Sequence, residues 1–237
     1  MTKMNLPNKL TILRIILFFP LLILTVLYWL LIKREYVDYN IAGRIILAFM
    51  LLIFIGAMVT DYFDGKIARS SNQITKFGKL WDPIADKLIV STTLIALSSF
   101  GFIPIWITIL FIARDLVVDA SRVVMAQNNI SVAASKWGKI KTLTQTIAII
   151  IVLIIAVGYD YTDIASYTHL LLQTDIKVIM IVAIYLINLP TIIALFFSLF
   201  SGYKYLATVL PYIKENNDID SENNQHQESA ENNPNSN

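Results

Sequence analysis

The sequence predicts an all-α integral membrane protein with six transmembrane helices, and three observations carry that reading. Of 237 residues, 56% are hydrophobic and only 15% charged, whereas a soluble domain usually carries about 25% charge. The mean hydropathy is +0.63. Apolar runs recur from Ile15 to Tyr203, each comparable to the roughly 20 residues that cross a bilayer as helix. A water-soluble globule is close to excluded. The length suits one membrane domain and leaves no room for a large soluble one. With no cysteine, disulfides, iron–sulfur clusters and thiolate metal sites are impossible, and two histidines, His169 and His226, argue against a histidine-rich zinc site. A net charge of +2 says little, so the placement of charge carries the argument.

The first run, Ile15 to Ile32, follows a short basic start with Lys3, Lys9 and Arg14. A signal peptide has an apolar core of about 7–15 residues and a small-residue cleavage site. This run is longer and leads through bulky Leu30, Leu31 and Ile32 into Lys33, so it reads as an uncleaved helix. A second helix runs from about Ala42 into the Asp61–Arg69 region. The uncharged stretch Leu88–Ala113 is too long for one span, and Gly101 and Pro104 punctuate it near the middle. A tight hairpin there yields helices three and four. Each needs its charged flank to reach full length, which places Asp82, Asp86, Arg114 and Arg122 at or just inside membrane depth. Helix five covers about Ile140–Tyr159 and helix six about Lys177–Tyr203, with Pro190 as a kink that neighbouring helices can accommodate.

Six spans put both termini on one side of the membrane. Lys and Arg then divide as 15 on that side and 4 opposite, namely Lys33, Arg34, Arg44 and Lys177. The excess marks the cytoplasm, which also receives the Arg69–Lys79 and Gln127–Lys139 loops. Tyr28, Trp29, Tyr36 and Trp81 sit where an interfacial aromatic belt would. From Lys214 to Asn237 the chain is rich in Asn, Gln, Glu and Ser. It cannot bury enough apolar surface to offset ordering, so the expected division is a membrane domain, 1–213, and a disordered solubilising tail, 214–237.

The chemistry concentrates in Thr60-Asp-Tyr-Phe-Asp-Gly-Lys-Ile-Ala-Arg69 and Gly78-Lys-Leu-Trp-Asp-Pro-Ile-Ala-Asp86. Asp61 and Asp64 are three apart, Asp82 and Asp86 four apart, and both spacings put a pair on one helix face. Bare carboxylates at membrane depth are expensive, and four together resist common ionisation unless cations intervene. An all-oxygen set favours hard ions such as Mg²⁺ or Mn²⁺, and two facing pairs could hold two of them. A single aspartate at a helix end reads as a cap or an interfacial residue; four at these spacings do not. Gly65 and Ala68 are small enough for a close approach by another helix or a flat ligand.

Asp61-x2-Asp64-Gly65-x2-Ala68-Arg69-x8-Gly78-x3-Asp82-x3-Asp86 matches the signature of the CDP-alcohol phosphatidyltransferases at all eight positions. The resemblance implies a six-helix, homodimeric membrane fold with a polar cavity open to the cytoplasm. It implies a two-metal site in which Asp61, Asp64, Asp82 and Asp86 are ligands and Asp86 also removes the proton of the acceptor hydroxyl. Asn8, Thr11, Gly65, Ala68, Arg69, Thr75 and Gly78 would contact the CDP-diacylglycerol donor.

Pro7-Asn-Lys-Leu-Thr11-Ile-Leu-Arg14 resembles the family's entry to helix one, while Ala113-Arg114-Asp115 and Ser135-Lys-Trp-Gly-Lys139-Ile-Lys141-Thr142 resemble its phosphatidylglycerophosphate-forming branch. That branch typically carries Glu where this chain has Asp115. The likeness implies glycerol 3-phosphate as acceptor. A phosphomonoester carries nearly two negative charges at pH 7 and needs a cationic anchor beside four carboxylates, for which Arg14, Arg114, Arg122, Lys139 and Lys141 are the candidates. Topology alone also explains basic residues at cytoplasmic ends. Other acceptors, giving cardiolipin, phosphatidylserine or a phosphoinositol lipid, remain open. A cation transporter is the rival class; against it stand the absence of inverted repeats with paired broken helices and Arg69 beside the carboxylates. No nucleic-acid partner is expected.

Overall fold

Helix α1 (Leu6–Leu31) opens with Pro7 in its first turn, where the missing N–H would have no intrahelical partner anyway. Its buried residues, Pro7, Thr11, Arg14, Leu21 and Tyr28, recur at spacings that keep them on one stripe. The stripe is polar at Thr11 and Arg14 and apolar beyond, so one helix face serves a charged site at one end and the core at the other. Leu13, Ile16, Phe19 and Ile23 point outward and are exposed, as residues facing lipid would be. The protein is known from a computed structural model, which describes residues 5–32, 39–70, 76–127, 136–158 and 182–231.

A π-helical turn (Tyr39–Gly43) leads into α2 (Arg44–Ser70), followed by α3 (Lys76–Phe100), α4 (Ile105–Gln127), α5 (Lys136–Gly158) and α6 (Leu189–Glu231). Helix α1 packs on α2 and α3, α2 on α5, and α6 on both α4 and α5. Thr11 meets Asp82 near the start of α3, while the Tyr28 ring lies 3.9 Å from the Phe100 ring at its end. Helices α1 and α3 therefore run parallel, and α2 runs against them. That brings the end of α2 and the starts of α1 and α3 to one end of the bundle. Leu47, Met50, Phe54, Leu94, Leu97 and Val152 fill the core behind.

The hairpin expected at Gly101 and Pro104 is present, and its chemistry is local. Gly101 has φ 90°, the left-handed conformation that glycine adopts without a Cβ penalty. Its N–H donates to the Ser98 carbonyl at 3.0 Å, and Phe102 N–H donates to Leu97 at 2.8 Å. Those two bonds form the Schellman closure of a helix C-terminus. Near Pro190, where a kink is expected, residues 182–187 are helical and give way to a turn at Asn188. The buried Asn188 amide donates to the Phe102 carbonyl at 2.9 Å and to Ile184 at 3.0 Å, tying the break to the α3–α4 hairpin.

Two features stand beside the sequence reading. Among the described residues, five helices rather than six are long and apolar enough to cross a membrane. The other, α4, has 23 residues, about 34 Å of helix at 1.5 Å per residue. It fails on composition, because Arg114, Asp115, Asp119 and Arg122 interrupt its apolar surface. The second difference is the tail. Helix α6 continues to Glu231, through residues expected to be disordered from Lys214 onward. Propagating an existing helix adds one hydrogen bond per ordered residue, and Glu, Gln and Ala favour it. What changes at residue 214 is composition, not backbone conformation. No strand occurs among the described residues, and the chain is an all-helical, multi-pass membrane protein.

Candidate active site

The two acidic pairs face each other where α2 ends and α3 begins, with the N-terminal part of α1 laid against them. Arg14 stands among them, fully buried. Its Nη1 lies 3.0 Å from Asp61 Oδ1 and 2.9 Å from Asp86 Oδ1, and its Nη2 lies 3.7 Å from Asp64 Oδ2. Thr11 Oγ1 has Asp82 Oδ1 at 2.5 Å and Asp64 Oδ2 at 3.2 Å; its one hydrogen serves one of them at a time. Asp64 is shut in, whereas the Asp61 and Asp86 side chains are 38% and 35% exposed and Asp82 is half-buried, so these three are open to a ligand. Arg14 offsets the mutual repulsion of these carboxylates.

A second, basic cluster forms where α4, α5 and α6 meet. Arg114 donates through Nε to the Ser198 carbonyl, through Nη2 to Ser201 Oγ (both 2.9 Å) and through Nη1 to Asp115 at 2.8 Å. Gly202 makes room for it: a Cβ there would lie 3.0 Å from Arg114 Cγ. Asp115 also accepts two bonds from Lys141 Nζ, at 2.7 and 2.8 Å, and Lys87 pairs with Asp119. The Arg122 guanidinium lies 5.3 Å from the centre of the Tyr205 ring. Between the clusters is a cavity of about 290 Å³ with Asp61, Asp82 and Asp86 on one wall and Arg114, Arg122 and Lys141 on another. A second chamber of about 530 Å³, touching Asp61, Asp86 and Arg122 as well, adds Gly65, Lys139 and Tyr205.

The structure thus gathers Asp61, Asp64, Asp82, Asp86 and Thr11 in one group and Arg114, Arg122 and Lys141 in another, with Lys139 and Gly65 at the second chamber. Arg14 is placed differently from its expected role beside the acceptor's cationic anchors: it sits with the carboxylates, whose charge it neutralises. Asn8 is in the first turns of α1, and Gly78 is buried near the start of α3. Ala68 and Arg69 belong to α2, but their side chains, and Thr75 altogether, lie outside the described residues. The sequence did not single out Ser198, Ser201, Gly202, Lys87 or Asp119. Small residues at 198, 201 and 202 follow the helical i, i+3, i+4 pattern, a readable sign of close approach; the partner of Lys87 left no such sign.

A divalent cation can be tested against this donor set. As the side chains stand, no three acidic or histidine groups among the described residues are disposed to hold one ion, since Arg14 takes the middle. The chemistry nevertheless fits. The donors are hard oxygens only, and Asp61 and Asp86 share one arginine nitrogen, which keeps those oxygens within about 6 Å of each other. Carboxylate sets of this kind suit Mg²⁺ or Mn²⁺.

Apolar spanning helices around four aspartates that confront a basic wall define an integral membrane protein with a charged site set into its helical bundle. The CDP-alcohol phosphatidyltransferase family model matches residues 4–210, and the chain belongs to that family. A Bacillus subtilis relative named CDP-diacylglycerol–glycerol-3-phosphate 3-phosphatidyltransferase is 34% identical over 223 residues, covering 90% of this chain and 99% of its own length. A Mycoplasma pneumoniae relative of the same name is 38% identical over 152 residues, 62% of this chain and 66% of that protein. A Mycobacterium tuberculosis relative named probable phosphatidylglycerophosphate synthase is 37% identical over 145 residues, 61% of this chain and 64% of that one.

Proposed function

We propose that the protein transfers the phosphatidyl group of CDP-diacylglycerol to sn-glycerol 3-phosphate, giving phosphatidylglycerophosphate and CMP. One observation carries the reading beyond the relatives' names: acidic and basic walls confront each other across a single cavity. The acceptor has the matching polarity, a dianionic phosphate at one end and a hydroxyl at the other. Arg114 and Lys141 hold the phosphate, with Arg122 and Lys139 toward the second chamber. The far hydroxyl meets Asp86. Its oxygen bonds to the lipid phosphorus as the phosphorus–oxygen bond to CMP breaks, and its proton passes to the Asp86 carboxylate. Asp61, Asp64, Asp82 and Asp86 would hold two Mg²⁺ or Mn²⁺ ions, which supply neutralisation of the diphosphate and of the leaving CMP. Asn8, Thr11, Gly65, Ala68, Arg69, Thr75 and Gly78 belong to the donor side of the site.

The same reading makes α4 the sixth span. Its charges have partners within the bundle, as intramembrane charges require: Arg114 and Asp115 with each other and with Lys141, Asp119 with Lys87. Both termini and the cavity then face the cytoplasm, the protein resides in the cell membrane, and it acts as a homodimer.

Arg114→Ala is expected to raise KM for glycerol 3-phosphate about 10- to 100-fold, the range for losing hydrogen bonds to a charged group, and to change KM for CDP-diacylglycerol less than about threefold. Steady-state CMP release with each substrate varied in turn checks this, and a comparable rise in both constants would contradict it. Deleting residues 214–237 is expected to leave insertion and specific activity within about twofold, since that segment offers no apolar face for docking. Activity per milligram of purified, membrane-extracted protein is the measurement, and a large loss at unchanged expression would show the tail docking on the site.

A further inference from the structure

We infer that Gln145 binds the middle hydroxyl of the acceptor and so selects a glycerol backbone over a bare three-carbon one, an inference that rests on glycerol 3-phosphate as acceptor. Gln145 stands on α5 four residues after Lys141, hence on the same helix face. It lines the same cavity as Asp86, Arg114 and Lys141. The residue is only 3% exposed, and its Nε2 has no hydrogen-bond partner among the described residues. A buried amide left unsatisfied is costly and uncommon. Here the missing partner belongs to whatever enters the cavity.

The charged neighbours already have chemical tasks. Lysine and arginine can only donate, so they suit the phosphate; an ionised carboxylate can only accept, so Asp86 suits the hydroxyl that loses its proton. The acceptor then has one polar group left, the hydroxyl on its central carbon. A carboxamide matches a hydroxyl in both senses, with Nε2 donating to its oxygen and Oε1 accepting its hydrogen. Gln145 is the neutral amide on the cavity wall between Lys141 and the core residues Ala148 and Ile149 of the same helix. It therefore marks where the uncharged, unreacting part of the acceptor lies.

The test compares glycerol 3-phosphate with 3-hydroxypropyl phosphate, which lacks only the middle hydroxyl, in CMP-release assays on the full chain in detergent. Wild type is expected to prefer glycerol 3-phosphate by about 10- to 100-fold in kcat/KM, the range for leaving one buried polar group unsatisfied. Gln145→Met, similar in length and apolar, is expected to lose most of that preference. The loss falls on glycerol 3-phosphate, while kcat/KM for 3-hydroxypropyl phosphate and KM for CDP-diacylglycerol change less than about threefold; turnover of the analogue also shows that the variant is folded. Equal losses with both acceptors would assign Gln145 to structure or to the phosphate and overturn the inference, as would a wild type that treats the two alike. A wild type that ignores glycerol 3-phosphate but uses another acceptor would overturn the acceptor reading itself, a separate and recognisable result.

Discussion

Asp86→Asn is expected to lower CMP release by about 10²–10⁴-fold, the contribution typical of a general base, in a protein that still folds, inserts and binds CDP-diacylglycerol. The amide keeps the shape of the carboxylate but cannot take a proton. It also keeps an oxygen for Arg14, whose Nη1 lies 2.9 Å from Asp86, so the acidic cluster should hold together. Donor binding, measured separately with labelled CDP-diacylglycerol, distinguishes a failed proton transfer from a failed site. Near-normal release at saturating metal would remove Asp86 from the role of base.

Asp61→Ala and Asp64→Ala are each expected to abolish turnover, beyond the roughly 10²–10³-fold typical of losing one electrostatic stabiliser, with poor rescue by excess Mg²⁺ or Mn²⁺. Small hard ions need near-octahedral oxygen coordination, and a missing carboxylate cannot be replaced by mass action. The two variants should differ in stability. Asp64 is nearly inaccessible and lies against both Thr11 and Arg14, so its loss leaves buried donors short of an acceptor, whereas Asp61 is partly open to the cavity. Thermal unfolding in detergent should therefore show Asp64→Ala as the less stable. Wild-type activity that survives a strong chelator would contradict the proposed metal site.

How much of this was legible in the sequence depends on the range of each interaction. The acidic pairs lie on consecutive helices joined by a short connection, so their spacing and order already force them to meet. The Gly101–Pro104 hairpin is likewise written in local backbone chemistry. The position of Arg14 is not. Its basic charge near the start of α1 fits a phosphate anchor as well as a counter-cation, and only the packing of α1 against α2 and α3 decides between them. The landing of Arg114 on Ser198, 84 residues away, is also a tertiary fact: the sequence shows that a charge in an apolar helix needs a partner, but not which helix supplies it. For Gln145 the sequence shows one polar residue among several, with Thr142, Thr144 and Thr146 around it, and the cavity beside it becomes visible only when α3, α4 and α5 are assembled. The last helix is a different case, since composition speaks to the lack of a docking face and not to whether the backbone continues its hydrogen bonding.

The most direct test of the central claim is CMP release by the purified full chain in detergent, with CDP-diacylglycerol, Mg²⁺ or Mn²⁺, and a panel of acceptors added singly. The account predicts release with glycerol 3-phosphate and essentially none with phosphatidylglycerol, serine or inositol phosphate. Release with one of those acceptors but not with glycerol 3-phosphate would contradict it.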